Sequence, residues 1–593
     1  MKSKNSFLDL AAVPFARKGS YLTILNKQDG EDIDRGKVQE LYLSRTWNNS
    51  CAIKRADLIK ISLVHDGQEV PYEYTATPSL LRLESEYGYT EFCITKTNCF
   101  QFRGKGVTLR CQAEMWGHEG SVDREDGTWE ISFSMIGKFL FVPVKGKMIA
   151  KGGLNWMYQT PDPVQIDFSA EEGELFEGVI HTYLSNGQKE EHYPDFDEVV
   201  KENQQDYEAW CARYPDCDEE FRKTRELACY IVWSHVMAPY GKLTSEVVYM
   251  SRNSLADAFG WQQGYQAIAV MRDIRQAWNF ICNMFDYQLP DGQLPDWIND
   301  YCCTYLTCKP PFQGFAIIWL LDHGDTEQLT VEDYRRLYYP MQRWTNWWFN
   351  YRDTDHDGIP QYSHPDESGW DDGSIFSKGV PVETPDLCAY MVLMTEACGR
   401  LAEKIGEHAD ARRWMEQSKN LLARMIVEFW DGERFFAKLS GSHEIVDCQC
   451  VALYQPIILG KRLPENIREK LIRDLKDENG FLCQHGIASE HPKSSLFEPL
   501  NGFCRGVVVS PVQLMMAIGL KNAGAEEVAK EVALRFSRKV ARDGFSLCQF
   551  PYDDPAFVIA PSEKARNFVS DMSLATSWTA AIFLTLTGYI LKS

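Results

Sequence analysis

Residues Asp353–Asp372 read DTDHDGIPQYSHPDESGWDD. Turn-forming acids, a glycine and a proline open the stretch, and Glu367, Asp371 and Asp372 close it around Trp370. On both sides apolar residues recur at i, i+3, i+4 spacing, over Val331–Asn350 and Thr384–Ile405, so the stretch is a loop between two helices. Acids, an indole and a tight turn in one loop suit a pocket that holds a sugar ring and protonates its leaving oxygen. The competing reading is a hydrated acidic loop anchored by its tryptophan.

Outward from this loop the helical period continues almost without pause. Beyond the two flanking helices, the pattern predicts Glu219–Val236, Gly264–Phe285, Phe312–Asp322, Ala409–Phe429, Pro464–Lys476, Pro511–Asn522, Ala525–Arg542 and Ser573–Leu591. Short hinges, GEHAD at 406–410 and NAGAE at 522–526, pair some of these helices, while long loops rich in Gly, Pro, Asp and Trp separate others. A ring of helical hairpins with a pocket at one end would produce that alternation. The first third has a different grammar. YLTIL, AIKRADLIKISLV, TLRCQAEMW, TWEISFSMI, FLFVPV, VQIDF and GVIHTYL alternate or carry β-formers between closely spaced turns, which predicts an antiparallel β-sandwich. The expected division is a β-sandwich over 1–192, a helical linker over 193–218 and a helical catalytic domain over 219–593.

Composition narrows the partners. The chain has 593 residues, 44% of them hydrophobic, with 84 acids against 62 Lys plus Arg and a net charge of −22. That charge repels phosphate backbones and anionic lipid, so neither nucleic acid nor membrane is an expected partner, and a small neutral carbohydrate is. Seventeen tryptophans supply both core and flat faces for sugar stacking. No apolar run approaches the length of a membrane span, and the N-terminus lacks the apolar region and cleavage site of a signal peptide. The 18 cysteines are scattered without a paired framework, and Cys448-x-Cys450 lacks companion ligands for zinc. Reduced cysteines and a cytoplasmic location are expected, with no cofactor and no metal. Composition says nothing about oligomeric state.

Four loops mix polar groups with aromatics in the manner of a small-molecule pocket. They are Phe259–Tyr265, Gln288–Trp297, the acidic stretch itself, and Phe503–Gly506 with the later Asp543–Phe545 and Tyr552–Asp554. Glycoside hydrolysis needs one carboxylic acid to protonate the leaving oxygen and a second carboxylate to activate water or attack the sugar. Asp371 is the expected acid: Gly369 permits the turn and Trp370 desolvates the carboxyl, raising its pKa. The plainer reading of Asp371 is a helix cap. Glu367 and Asp372 suit either sugar-hydroxyl binding or capping. Trp261, Trp297 and Trp370 are candidate platforms, and Arg505 either clamps a hydroxyl or carboxylate or pairs with a structural acid. Asp353, Asp355, Asp357 and Gly358 copy the first half of a calcium loop, but His364 stands where its bidentate Glu belongs, which favours an ordinary Asx turn.

Together these loops resemble the helical-barrel glycosidases of the glycoside hydrolase family 63 and trehalase clan, including bacterial relatives active on glucosides and mannosylglycerate. Glu367-Ser368-Gly369-Trp370-Asp371 looks like the clan's E-S-G-W/M-D segment. Trp261–Gly264, Gln288–Pro295, Pro310-Pro311 and Phe503–Pro511 continue the likeness in order, from about Leu255 to the C-terminus. The resemblance implies an (α/α)6 barrel behind an N-terminal β-sandwich, and inversion of an α-glycosidic bond in a small glucoside or oligosaccharide. Asp371 then corresponds to the general acid. Trp261, Gln262, Gln263, Trp297, Glu367, Trp370, Asp372, Arg505 and Gln549 become the expected substrate contacts. Two departures stand out. Gln549 occupies about the place of the clan's catalytic Glu, and Trp261-Gln262 lacks the clan's Asp. The base therefore falls to Asp553, Asp554 or Glu498, with Asp553 favoured by its late position. A sugar isomerase or epimerase on the same barrel is a rival, although the loops mostly lack the positioned histidines such chemistry uses. A sugar-binding protein without turnover is another, suggested by Gln549.

Overall fold

The computed structural model describes residues 6–27, 38–46, 57–96, 98–115, 119–134, 136–155, 157, 160–252, 255–553 and 575–592. The chain forms two compact units. One comprises Met1–Ala212 with Tyr230–Gly241 and Tyr249–Asp257; the other comprises Arg213–Cys229, Lys242–Val248 and Ala258–Ser593.

Among the described residues the first unit is built on two antiparallel sheets of eight strands each. In one, Ile59–His65 and Thr160–Ser169 flank Thr108–Ala113, whose strict alternation buries Leu109, Cys111 and Ala113. In the other, Leu175–Tyr183 lies between Gly137–Lys145 and Cys99–Lys105. Phe168 of the first sheet packs edge-on against Phe102 of the second, with ring centroids 4.7 Å apart, and stacks near Phe141. All seven segments predicted from β-formers contribute strands, although residues 52–56, 116 and 135 of these segments lie outside the described residues. The pattern missed Tyr89–Ile94 and Cys99–Lys105, where nearly every residue is buried and the two-residue period vanishes. Part of the predicted linker is a helix, Phe196–Cys211. Asp195 caps it by accepting from the amides of Asp197 and Glu198, and Asp197 pairs with Arg103 at 2.8 Å.

Helices dominate the second unit, and they fall into two kinds. Gln313–His323, Pro385–Lys404, Ser510–Asn522 and Ser577–Thr585 are buried on nearly every side. Val331–Tyr351, His408–Phe429, Glu465–Leu475 and Glu526–Asp543 bury one stripe each. Along the chain the two kinds alternate except at His408–Phe429 and Glu465–Leu475, two one-stripe helices that follow each other. Gly314 lets two of the buried helices touch: a Cβ there would lie 2.5 Å from the amide nitrogen of Met394. The predicted Gly264–Phe285 helix is in fact two, Gln262–Ala269 and Ile274–Cys282, because Asp273 caps the second by accepting from the Gln276 amide. Among the described residues no helix is long and apolar enough to cross a membrane.

Short strands precede the buried helices. Ala258–Phe259 pairs with Trp297–Ile298, which pairs with Cys303–Thr304; Gln361–Tyr362 pairs with Val382–Glu383; Val508–Val509 pairs with Cys548–Gln549. These ladders stitch the long loops together at the N-terminal ends of the buried helices. The acidic loop lies there.

Candidate active site

Gly369 sets the geometry. Its φ of +74° is left-handed, and a Cβ on it would come within 2.4 Å of the Trp261 ring. Trp261 is itself buried, edge-on to Trp578 at 4.9 Å and to Tyr265 at 6.1 Å, so it braces the turn from beneath. The Ser368 hydroxyl accepts from the Trp370 amide at 2.9 Å. The buried Trp370 indole donates to Asp386 at 3.1 Å, and the Tyr362 hydroxyl donates to the same carboxylate oxygen at 3.0 Å. The residues that lead into Asp371 are thus fixed.

Asp371 itself is exposed on this turn, next to Asp372, which lines a cavity. Its carboxyl is pushed up to about 6, chiefly by desolvation. Lys309 opposes the rise, and the negative charges of Asp366, Asp372 and Asp296 add to it. A carboxyl of this kind can hold a proton near neutrality and release it to a leaving group.

A second loop is locked onto the first. Asp372 accepts from the amides of Phe503 at 3.0 Å and Cys504 at 2.6 Å, which pins the segment carrying Glu498 and Arg505. Arg505 donates from Nε to the Leu496 carbonyl at 3.1 Å, and these two residues, Phe376 and the Asp372–Ser374 turn line a cavity of about 310 Å³. Glu490 is fully buried behind it, accepting from the hydroxyls of Ser374 at 2.6 Å and Ser494 at 2.5 Å, with burial holding its carboxyl above the usual range. The half-buried Glu498 accepts from the Asn501 amide group at 3.1 Å. A third loop brings Asp296 and Lys309: the Lys309 ammonium lies 3.2 Å from Asp296 and donates to the Asp366 carbonyl at 3.0 Å. A larger cavity, about 500 Å³, lies at the C-terminal ends of Gln313–His323 and Ser510–Asn522, away from these loops. The acids on its wall and beside it are already engaged, Asp322 with Arg400 and Glu396 with Arg462. The cavity beside the loop that carries Asp371 is therefore the better chemical site.

Residues 257–556 match the mannosylglycerate hydrolase MGH1-like glycoside hydrolase domain. The chain belongs to this family. It is accordingly a glycosidase. Among solved structures it is similar to the GH63 mannosylglycerate hydrolase from Thermus thermophilus in complex with Tris and D-glycerate. Identity there is 17% and the TM-score 0.51, covering 61% of this chain and 98% of that one. It is also similar to a bacterial glucoamylase complexed with acarbose, at 11% identity and a TM-score of 0.59, covering 100% of this chain and 95% of that one. At such identities these likenesses speak to fold alone. No curated protein matches the chain.

Within the MGH1-like domain several residues expected at the sugar are engaged elsewhere. Gln262 and Gln263 are buried: Gln262 donates to the Ser577 hydroxyl at 3.0 Å, and Gln263 bonds both backbone groups of Val248 and the Asn283 amide. Glu367 is 1% exposed, ion-paired with Arg352 at 2.5 Å and accepting from the Ser363 amide at 2.8 Å, so it shapes the loop rather than facing a ligand. Trp370 and Trp261 are packing residues, whereas Trp297 keeps part of its surface open. Gln549 is buried opposite Val508 and donates to the Gly544 carbonyl at 3.1 Å.

Asp553, favoured as the base from its position in the chain, is exposed and paired with cations instead. Arg542 grips both its oxygens at 2.7 and 2.6 Å, His485 lies at 2.9 Å and Lys539 at 3.5 Å, holding the carboxyl well below the usual range. Both lone-pair faces a base would use are taken. Asp554 lies outside the described residues. Lys309, Asp296, Glu490 and Asp386 were missed by sequence reasoning. Asp296 stood inside a quoted loop, and a lysine directly before Pro310-Pro311 was a signal of sorts; Glu490 and Asp386 had none.

The D-x-D-x-D-G turn uses its acids for turn bonds: Asp353 accepts from the Gly358 amide at 2.9 Å and Asp355 from the Gly441 amide at 2.7 Å. Asp355, Asp357, Glu383 and His443 come within metal-ligand reach of one another. Lys438 already sits among them, its ammonium 3.1 Å from Glu383, 2.9 Å from Glu428 and 3.8 Å from Asp357. A divalent ion does not fit beside that charge. In the sheet unit Cys99, His181 and Glu190 form a second such group. There both imidazole nitrogens are engaged, with Cys99 at 3.1 Å and the Tyr193 hydroxyl at 2.8 Å.

Proposed function

We propose that the protein hydrolyses a small α-linked glucoside or related oligosaccharide with inversion, on an (α/α)6 barrel that follows an N-terminal β-sandwich. The sandwich spans 1–192, a helical linker 193–218 and the barrel 219–593, and the enzyme works in the cytoplasm. Asp371 protonates the leaving oxygen. Glu498 activates water, taking the part that neither Gln549 nor the cation-bound Asp553 can play. Trp297 offers an apolar face to the sugar and Arg505 bonds its substituents. The reading rests chiefly on one observation: an accessible carboxyl held at about 6, beside a second loop that carries a carboxylate with a single side-chain partner among the described residues. The relatives' ligands, D-glycerate and acarbose, fit a pocket for small glycosides.

A panel of disaccharide and aryl α-glycosides, followed by proton NMR of the first-formed anomer, tests this. Wild type should release the β-anomer. Asp371→Asn should lose at least about 10²-fold in kcat on unactivated substrates, and Glu498→Gln should lose activity that azide restores. Full activity in Asp371→Asn, or an α-anomer as first product, would overturn it.

A further inference from the structure

We propose that Lys309 is a positioning residue for glycoside cleavage: its ammonium ties the Asp296 carboxylate to the loop that carries Asp371, and so decides which of the neighbouring acids holds the proton. This rests on the reading of Asp371 as the general acid.

The negative charges of Asp366, Asp372 and Asp296 are close enough to Asp371 to raise its carboxyl, and Lys309 opposes them. Lys309 is driven into the group. Its side chain is 13% exposed, its ammonium lies 3.2 Å from Asp296 Oδ1, and it donates to the Asp366 carbonyl at 3.0 Å. The Thr307 hydroxyl donates to the other Asp296 oxygen at 2.6 Å, so that side chain is held from both sides. Pro310 restricts the backbone of Lys309 to extended conformations, which limits the directions its side chain can take. Burial disfavours the charged ammonium, yet the surrounding acids keep its proton bound more tightly than usual. Lys309 thereby distinguishes the acids: Asp296 is paired with it, whereas Asp371 receives no ion pair of its own among the described residues.

A merely structural ion pair would lower activity equally at every pH. The proposal instead predicts opposite movements of the basic limb of kcat/KM, where the acid loses its proton. Removing the cation in Lys309→Met should raise that limb by about one pH unit. Removing a neighbouring anion in Asp296→Asn should lower it, and the charge-neutral double variant should return it towards wild type. The double variant leaves no uncompensated buried charge, so it stays informative should Lys309→Met fold poorly. A limb that stays in place in both Asp296→Asn and the double variant would overturn the role of Lys309. Retention of full rate by Asp371→Asn would instead remove the acid reading itself.

Discussion

Gly369 carries more of this site than any charged residue. Its left-handed backbone and the Trp261 ring beneath it leave no room for a methyl group. Gly369→Ala should therefore cost about 1–3 kcal/mol and lower kcat far more than KM, because it displaces Asp371; thermal melts and steady-state kinetics would check both. Asp371 makes a prediction of its own. A general acid with its carboxyl at about 6 must lose activity as pH rises past that value, so kcat/KM should fall tenfold per unit on the alkaline side. An activity plateau reaching to pH 8 would contradict it. The sequence made Gly369-Trp370-Asp371 legible because the glycine, indole and acid are contiguous. It misjudged Gln262, Gln263 and Glu367 because polar residues beside an aromatic look alike whether they face a ligand or a buried backbone group.

At the scale of elements, caps and internal cations do what the local sequence suggests. Thr330 and Asp333 form a capping box at the start of Val331–Tyr351. Thr330→Ala should cost about 1 kcal/mol, read as a lowered denaturation midpoint at unchanged activity. Lys438 stands where the D-x-D-x-D-G turn invites a metal. Chelators should leave the melting temperature untouched. Lys438→Met should destabilise by about 3–5 kcal/mol. Glu383, fully buried and pushed up to about 7 chiefly by desolvation even with Lys438 beside it, takes up a proton as pH falls, so the variant should recover stability at pH 5 relative to pH 8. A melting temperature that responds to calcium would refute this account. Helix positions were largely readable, since their apolar stripes recur over many turns. The break at Asp273 was not, because one N-cap interrupts a periodicity that continues on both sides of it.

For the whole molecule, opposing groups of carboxyls set the pH of greatest stability. Asp355, lowered to about 2, contributes stability that is full above its unfolded value of about 3.9 and is lost as pH falls from there to about 2. Asp371 and Glu383, raised to about 6 and about 7, act in the other sense. Between their unfolded values near 4 and those raised values the folded state binds more protons, so stability declines as pH rises through that window. From these groups the melting temperature should peak near pH 4 and fall as pH rises from there to about 7. Asp371→Asn should flatten the alkaline decline while abolishing activity, a trade between stability and function seen at many active sites. A melting temperature climbing steadily to pH 8 would contradict the raised carboxyls of Asp371 and Glu383.

By itself, the sequence determined the change from strand to helix grammar, the loop that presents Asp371 and the family likeness, because periodicity and contiguous turn chemistry are local properties of a chain. Only the tertiary structure decided that Asp553 is paired with Arg542 and His485, that Glu498 rides on a loop held by Asp372, and that Lys438 and Lys309 enter acidic clusters. Each of those facts depends on which distant charges desolvation and close packing bring within a few ångströms, and no spacing along the chain encodes that distance.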